Sequence, residues 1–165
     1  MIAPDVNVLL YAFREESARH PEYHAWLQGA LNGTETVAMF EPVLAAVMRI
    51  ATHPGIFKPP SPRERVEEFV DACLAAPAAV AVRAEASHWA IFRDLCARVD
   101  CRGNLIQDAY LAAMALEHNC TYVTSDRDYA QFPRLRWRHP LEGAQRTRRS
   151  REAVAPDDES DLDPD

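Results

Sequence analysis

The chain has 165 residues, 48% of them hydrophobic and 26% charged, with a net charge of −7. That length buries a core as one soluble domain without disulfides or a structural metal, and no run approaches the roughly 20 apolar residues of a membrane span. The negative charge excludes a glove that holds nucleic acid by bulk basicity, yet it leaves open a nuclease whose acidic site is bridged to phosphate by metal ions.

Met1 to Pro4 is a short apolar run ending at Asp5, and Val6 to Phe13 is apolar on nearly every face, which predicts a buried strand running into a helix. The start carries no basic lead before its apolar stretch, so a cytoplasmic protein is expected. Pro21 to Leu31 spaces Tyr23, Trp26, Leu27 and Ala30 at helical intervals and breaks at Asn32 and Gly33. Thr36 to Phe40 reads as a strand, and Glu41 with Pro42 opens a helix from Val43 to Thr52. A Pro-rich loop, His53 to Pro62, leads to a helix over Arg63 to Ala75 and a strand at Val80 to Val82. Ser87 to Cys101 is helical, Gly103 breaks it, and Asn104 caps a helix from Leu105 to His118 so apolar that it must be buried. Thr121 to Thr124 is the next strand, Ser125 to Asp128 a turn, and Leu135 with Trp137 a last edge strand. Strands alternating with helices imply an α/β fold, a short central parallel sheet with helices on both faces.

The charge is uneven. Residues 142–165 hold eight acids against four arginines and no aromatic, too little apolar surface to offset the entropy of ordering. The expected organisation is therefore one domain over residues 1–141 and a charged, disordered tail over 142–165. Within the tail a basic block, Gln145 to Arg151, precedes an acidic one, Pro156 to Asp165, and the two suit pairing with each other or with a partner. Cys73, Cys96, Cys101 and Cys120 form no C-x-x-C pair and read as core thiols.

Asp5, Glu41 and Asp126 follow the first, second and fourth predicted strands, which puts them at the carboxyl edge of one parallel sheet, where ligands bind in open α/β folds. Asp108 lies on the apolar face of the buried helix, with Leu111, Ala112 and Ala115 at helical spacing. An isolated carboxylate there costs several kcal/mol unless a cation or donors satisfy it. Each acid taken singly has an ordinary reading: Asp5 and Glu41 as helix-start residues, Asp126 as a turn cap, Asp108 as an acceptor of first-turn amide protons. Together they lack a protein counter-charge, because Lys58 is the only lysine in the chain. A Mg²⁺ or Mn²⁺ site accounts for all four.

The segments DVNVLLYAF at Asp5, FEPVLAAVMRI at Glu41, NLIQDAYLAAMALEHN at Asp108 and VTSDRDYAQFP at Asp126 together resemble the PIN-domain ribonucleases, specifically the VapC toxins of VapBC toxin–antitoxin systems. The resemblance spans residues 1–141 and implies a three-layer PIN-like sandwich. It assigns the catalytic and metal-binding roles to Asp5, Glu41, Asp108 and Asp126, with Asn7 and Thr124 as supporting polar groups. Many relatives place the second acid inside the following helix rather than at its start. The resemblance further implies a Mg²⁺- or Mn²⁺-dependent endoribonuclease leaving 5′-phosphate and 3′-hydroxyl ends, a VapB-type antitoxin partner, a homodimer and no membrane association.

RNA-contact candidates are the arginines beside the acidic motifs, Arg14, Arg49, Arg102 and Arg127, since a guanidinium meets phosphate bidentately. Arg134, Arg136 and Arg138 alternate along the predicted edge strand and so share a face; protection of an exposed edge is their other reading. His20 and His24 are spaced like metal ligands but, like His53, His88, His118 and His139, read as surface or packing residues. Two rivals remain at this point. One is a non-catalytic PIN-like binding module; the other is a haloacid-dehalogenase-type phosphatase, which needs a second aspartate where this chain has Asn7 and a catalytic lysine where only Lys58 is available.

Overall fold

The computed structural model describes residues 1–142. The tail expected over 142–165 therefore lies, from residue 143 onward, outside the described residues. Five strands, β1 (Ile2–Pro4), β2 (Val37–Phe40), β3 (Ala79–Val82), β4 (Thr121–Val123) and β5 (Trp137–Arg138), form one sheet in the order β3-β2-β1-β4-β5. Every pairing is parallel, with Pro4 opposite Val123 and Phe40 opposite Val82.

Six α-helices connect them: α1 (Val6–Phe13), α2 (His20–Leu31), α3 (Glu41–Ala51), α4 (Arg63–Leu74), α5 (His88–Val99) and α6 (Leu105–Glu117). α1 packs against α2 and α3, α3 against α4, and α5 against α6. They flank the sheet, as parallel strands with right-handed crossovers require. β1 and β2 are buried along their whole length, as their unbroken apolar sequences anticipate. Ala109 and the run Leu111 to Ala115 in α6 are buried too.

The expected elements all form, with ends displaced by one or two residues, and α3 starts at Glu41 itself. Two details differ. A 3₁₀ helix (Arg127–Gln131) stands where a simple turn was expected, because Asp126 caps it with its own carboxylate. The edge strand comprises only Trp137–Arg138, so the three alternating arginines do not form one strand face. Arg134 adopts a left-handed backbone (φ 64°), Arg136 binds the Asn119 carbonyl at 2.7 Å, and Arg138 reaches Glu35.

Strand order reverses beside β1: β2 and β3 lie to one side of it, β4 and β5 to the other. A crevice opens at the carboxyl ends of strands where such a reversal occurs. Asp5 follows β1 directly, and Asp126 lies three residues beyond the end of β4.

Candidate active site

A cleft of about 790 Å³ occupies that position, and Asp5, Asn7, Arg49, Asp108, Asp126 and Tyr129 are among its lining residues. β1 delivers Asp5 as the N-cap of α1, α6 delivers Asp108 from its first turn, and the β4 exit delivers Asp126 as the cap of the 3₁₀ helix.

Asp5 is 5% exposed, and both of its carboxylate oxygens are fully served. Oδ1 accepts from the Val6 amide at 2.7 Å and the Tyr122 hydroxyl at 2.7 Å. Oδ2 accepts from the Thr124 hydroxyl at 2.7 Å and the Asn7 amide at 2.9 Å. Thr124 Oγ in turn accepts from Asn7 Nδ2 at 3.1 Å and from the Asp126 backbone N–H at 3.0 Å. One buried hydroxyl therefore joins the first and last acids of the cleft. Burial pushes the Asp5 carboxyl above the usual range, and the bonds from Thr124, Tyr122 and Val6 work against that push.

Asp108 is half-buried and poorly served, with one hydrogen bond, from the Tyr129 hydroxyl at 3.4 Å. Its carboxyl is pushed up to about 6, first by burial and then by the charges of Asp5 and Asp126. Among the described residues none of Asp5, Asp108 and Asp126 forms an ion pair.

Glu41 departs from the expected set. It sits at the first position of α3, but its carboxylate accepts from Arg83 Nε at 2.6 Å and is not part of the cleft lining. The α3 residues that do line the cleft are Pro42, Ala45, Ala46, Arg49 and Ile50, so this helix brings it a cation and no acid. The reason is geometric: a residue at the strand-to-helix join can serve either side of it, and Arg83, just beyond β3, offers Glu41 a partner on the other side.

Of the four candidate arginines, only Arg49 lines the cleft. Arg14 is buried in a separate cleft, where it lies over the Phe57 ring at 4.1 Å, donates to Ser61 Oγ at 2.6 Å and pairs with Glu16. There it holds the Pro-rich loop onto the end of α1. Arg102 pairs with Asp100 on the surface at 2.9 Å, and Arg127 is exposed at the start of the 3₁₀ helix.

None of the six histidines lines the cleft, in keeping with surface or packing roles. His20 and His24 both contact backbone carbonyls of α1. Lys58 lines the Arg14 cleft, away from Asp5, which removes the lysine a haloacid-dehalogenase-type phosphatase needs. The four thiols are free. Tyr122 and Tyr129 were not singled out from the sequence, because an aromatic in a strand or next to a turn reads as packing.

Among the described residues no three His, Cys, Asp or Glu side chains converge as a complete metal cage. Mg²⁺ and Mn²⁺ do not require one, since such ions keep several waters and use one or two carboxylates. An all-oxygen donor set in which the Asp108 charge is destabilised by burial and then by the neighbouring acids fits a hard divalent cation.

The PIN domain model matches residues 2–135. The chain is 45% identical over 143 residues to VapC ribonuclease Mb2897 of Mycobacterium bovis, covering 87% of this chain and 97% of that protein. It is 40% identical to Ribonuclease VapC37 of Mycobacterium tuberculosis, over 82% of this chain and 94% of that one. Among solved structures it resembles VapBC2 of Rickettsia felis bound to a promoter DNA fragment, with a TM-score of 0.63 and 20% identity over 84% of this chain and 98% of that one. It also resembles M. tuberculosis VapC20, described as a sarcin–ricin loop cleaving toxin, with a TM-score of 0.60 and 13% identity over 79% of this chain and 93% of that one.

Proposed function

The chain belongs to the PIN-domain family and, within it, to the VapC ribonucleases, and from that premise we propose that it cuts RNA in the cleft where Asp5, Asp108 and Asp126 meet, with Mg²⁺ or Mn²⁺ as cofactor. The supporting observation is that three carboxylates, from β1, α6 and the β4 exit, line one cleft with no cation paired to any of them among the described residues.

Asp108 and Asp126 offer the less encumbered oxygens for a cation, and Asp5 stands between four donors that fix its orientation. When bound, a divalent cation lowers the pKa of a water and offsets charge on the phosphodiester, so that hydrolysis leaves a 5′-phosphate and a 3′-hydroxyl. Asn7 and Thr124 hold Asp5 aligned by hydrogen bonds to Oδ2; Arg49, which also lines the cleft, supplies a planar cation to the phosphate. Glu41, held by Arg83, takes no direct part. Single-stranded loops are the substrate class, because their bases and backbone are accessible to a cleft of this size.

As a VapC-type toxin the chain pairs with a VapB-type antitoxin, acts in the cytoplasm where its RNA lies, and works as a homodimer. No helix among the described residues is long and apolar enough to cross a membrane.

The direct test incubates antitoxin-free protein with total bacterial RNA and Mg²⁺ or Mn²⁺, beside Asp108→Asn and an EDTA control, and sequences the new 5′-phosphate ends. Discrete ends that vanish with EDTA and with Asp108→Asn are the expected result. Absence of new ends in folded, Mn²⁺-loaded protein overturns the reading in favour of a binding module.

A further inference from the structure

Two buried phenols face the acids of the cleft. Tyr122, on β4, is fully buried and donates to Asp5 Oδ1 at 2.7 Å. Tyr129, on the 3₁₀ helix, is 2% exposed and donates to Asp108 Oδ1 at 3.4 Å. Their rings lie 4.7 Å apart, centroid to centroid. Phe40 stacks on Tyr122 at 6.3 Å, and Phe132 packs against Tyr129 at 5.8 Å. The result is a four-ring column, Phe40, Tyr122, Tyr129, Phe132, whose two inner members alone carry hydroxyls.

Packing does not ask for those hydroxyls. A buried phenol O–H must find an acceptor, whereas a phenylalanine fills nearly the same volume without that demand. Each hydroxyl is directed at a carboxylate of the cleft, and the two carboxylates belong to elements far apart in sequence, β1 and α6. The column therefore ties Asp5 and Asp108 to a single rigid body built from β4 and the 3₁₀ helix. Asp126, at the junction of these two elements, is set by the same body through its own backbone N–H to Thr124.

Building on the metal-dependent reading above, we propose that Tyr122 and Tyr129 are a coupled pair of positioning residues that hold Asp5 and Asp108 in the orientation a divalent cation requires, and so set its affinity. A carboxylate already held in place gives up less freedom when it binds a cation, and hydrogen-bond partners of metal ligands characteristically change affinity about 10- to 100-fold when removed. Each phenol acts through the aspartate it supports.

The test is Mn²⁺ binding by the full chain, read by the free-ion paramagnetic resonance signal, for wild type, Tyr122→Phe, Tyr129→Phe and the double variant, with melting temperatures alongside. Tyr23→Phe removes a buried phenol that lies outside the cleft and is the control. Each single variant is expected to bind Mn²⁺ about tenfold more weakly, Tyr122→Phe with a melting temperature lowered by a few degrees and Tyr129→Phe with one close to wild type, while Tyr23→Phe leaves the affinity unchanged. RNA cleavage by the variants is expected to recover at high Mn²⁺, because the defect is in loading. Should Tyr122→Phe lose its fold, Tyr129→Phe carries the same comparison at Asp108. Wild-type binding with unchanged affinity in Tyr129→Phe and in any folded Tyr122→Phe overturns the positioning role and leaves the metal site standing. A wild type that binds no Mn²⁺ overturns the reading on which the proposal rests. Cleavage that stays low in the variants at saturating Mn²⁺ also overturns a role exercised through cation loading.

Discussion

Thr124 donates its hydroxyl hydrogen to Asp5 at 2.7 Å across 119 positions of sequence, and the same oxygen accepts the backbone N–H of Asp126. Thr124→Val, nearly isosteric, withdraws that donor and strips Asp126 N–H and the Asn7 amide of an acceptor. With Thr124 fully buried, the expected loss of stability is about 1–3 kcal/mol. Denaturant unfolding measures it; Thr124→Ser should recover most of the loss, and a wild-type midpoint for Thr124→Val would remove this hydroxyl from the account.

Asp108 places a destabilised charge at the centre of the cleft. Its carboxyl is pushed up to about 6 from 3.8, so the folded chain binds more protons than the unfolded one between those values. The sign follows: protonation favours the fold at low pH, and that contribution is lost as pH rises through about 6. Asp108→Asn should abolish cleavage yet melt higher than the wild type at pH 8 without metal. Because the group is only half-buried, solvent screening limits the gain to about 1 kcal/mol, or about 3 °C. An Asn variant that melts lower than the wild type would contradict the electrostatic account.

Cation binding should be proton-linked for the same reason. Below about pH 6 a divalent cation must displace a proton from Asp108, so Mn²⁺ affinity should rise from pH 5 to pH 7 and level off above. Calorimetry in two buffers of different ionisation enthalpy counts the proton directly. A pH-independent affinity across that interval would place the cation away from Asp108.

Glu41 and Asp126 separate two versions of the site. If the carboxylate paired with Arg83 lies outside it, Glu41→Gln should retain near wild-type cleavage and cost at most about 1 kcal/mol of stability, the scale of an exposed ion pair. Asp126→Asn should lose cleavage. Equal losses from both substitutions, measured on one RNA under the same Mn²⁺, would return Glu41 to the site.

Arg49 is expected to act on substrate and not on metal. Arg49→Ala should weaken RNA binding and raise KM, while Mn²⁺ affinity holds or improves as a neighbouring positive charge leaves. A loss of Mn²⁺ binding in that variant would mean the guanidinium supports the acids instead.

The legible part of the site was the part that secondary structure alone places. Asp5 and Asp126 follow strands whose apolar runs are unambiguous, and Asp108 sits in a helix so apolar that a carboxylate on its buried face stands out. Glu41 is placed by the same rule, yet its partner comes from beyond β3, 42 positions away, and no local pattern reveals that pairing. Arg14 illustrates the reverse error. Adjacency to an acidic motif suggested a phosphate ligand, but a helix turns a neighbour eight or nine residues on towards whatever packs there, and the Pro-rich loop packs there. Tyr122 and Tyr129 carry no such signature, because hydrophobic pattern records the ring and is silent about where a single hydroxyl points.

The place of β1 at the middle of the sheet has a consequence for how the chain comes into being. β1 comes first in chain order among the five strands of the sheet, but its neighbour β4 is not complete until residue 123. Asp5 therefore waits 117 positions of synthesis before Tyr122 exists to meet it, and longer for Thr124 and Asp126. A ribosome that stops anywhere before residue 122 releases a chain that lacks the β4 side of this hydrogen-bonded cluster. For a ribonuclease, late closure of the sheet means that the cleft is completed only after β4 and its exit through Asp126 have been made.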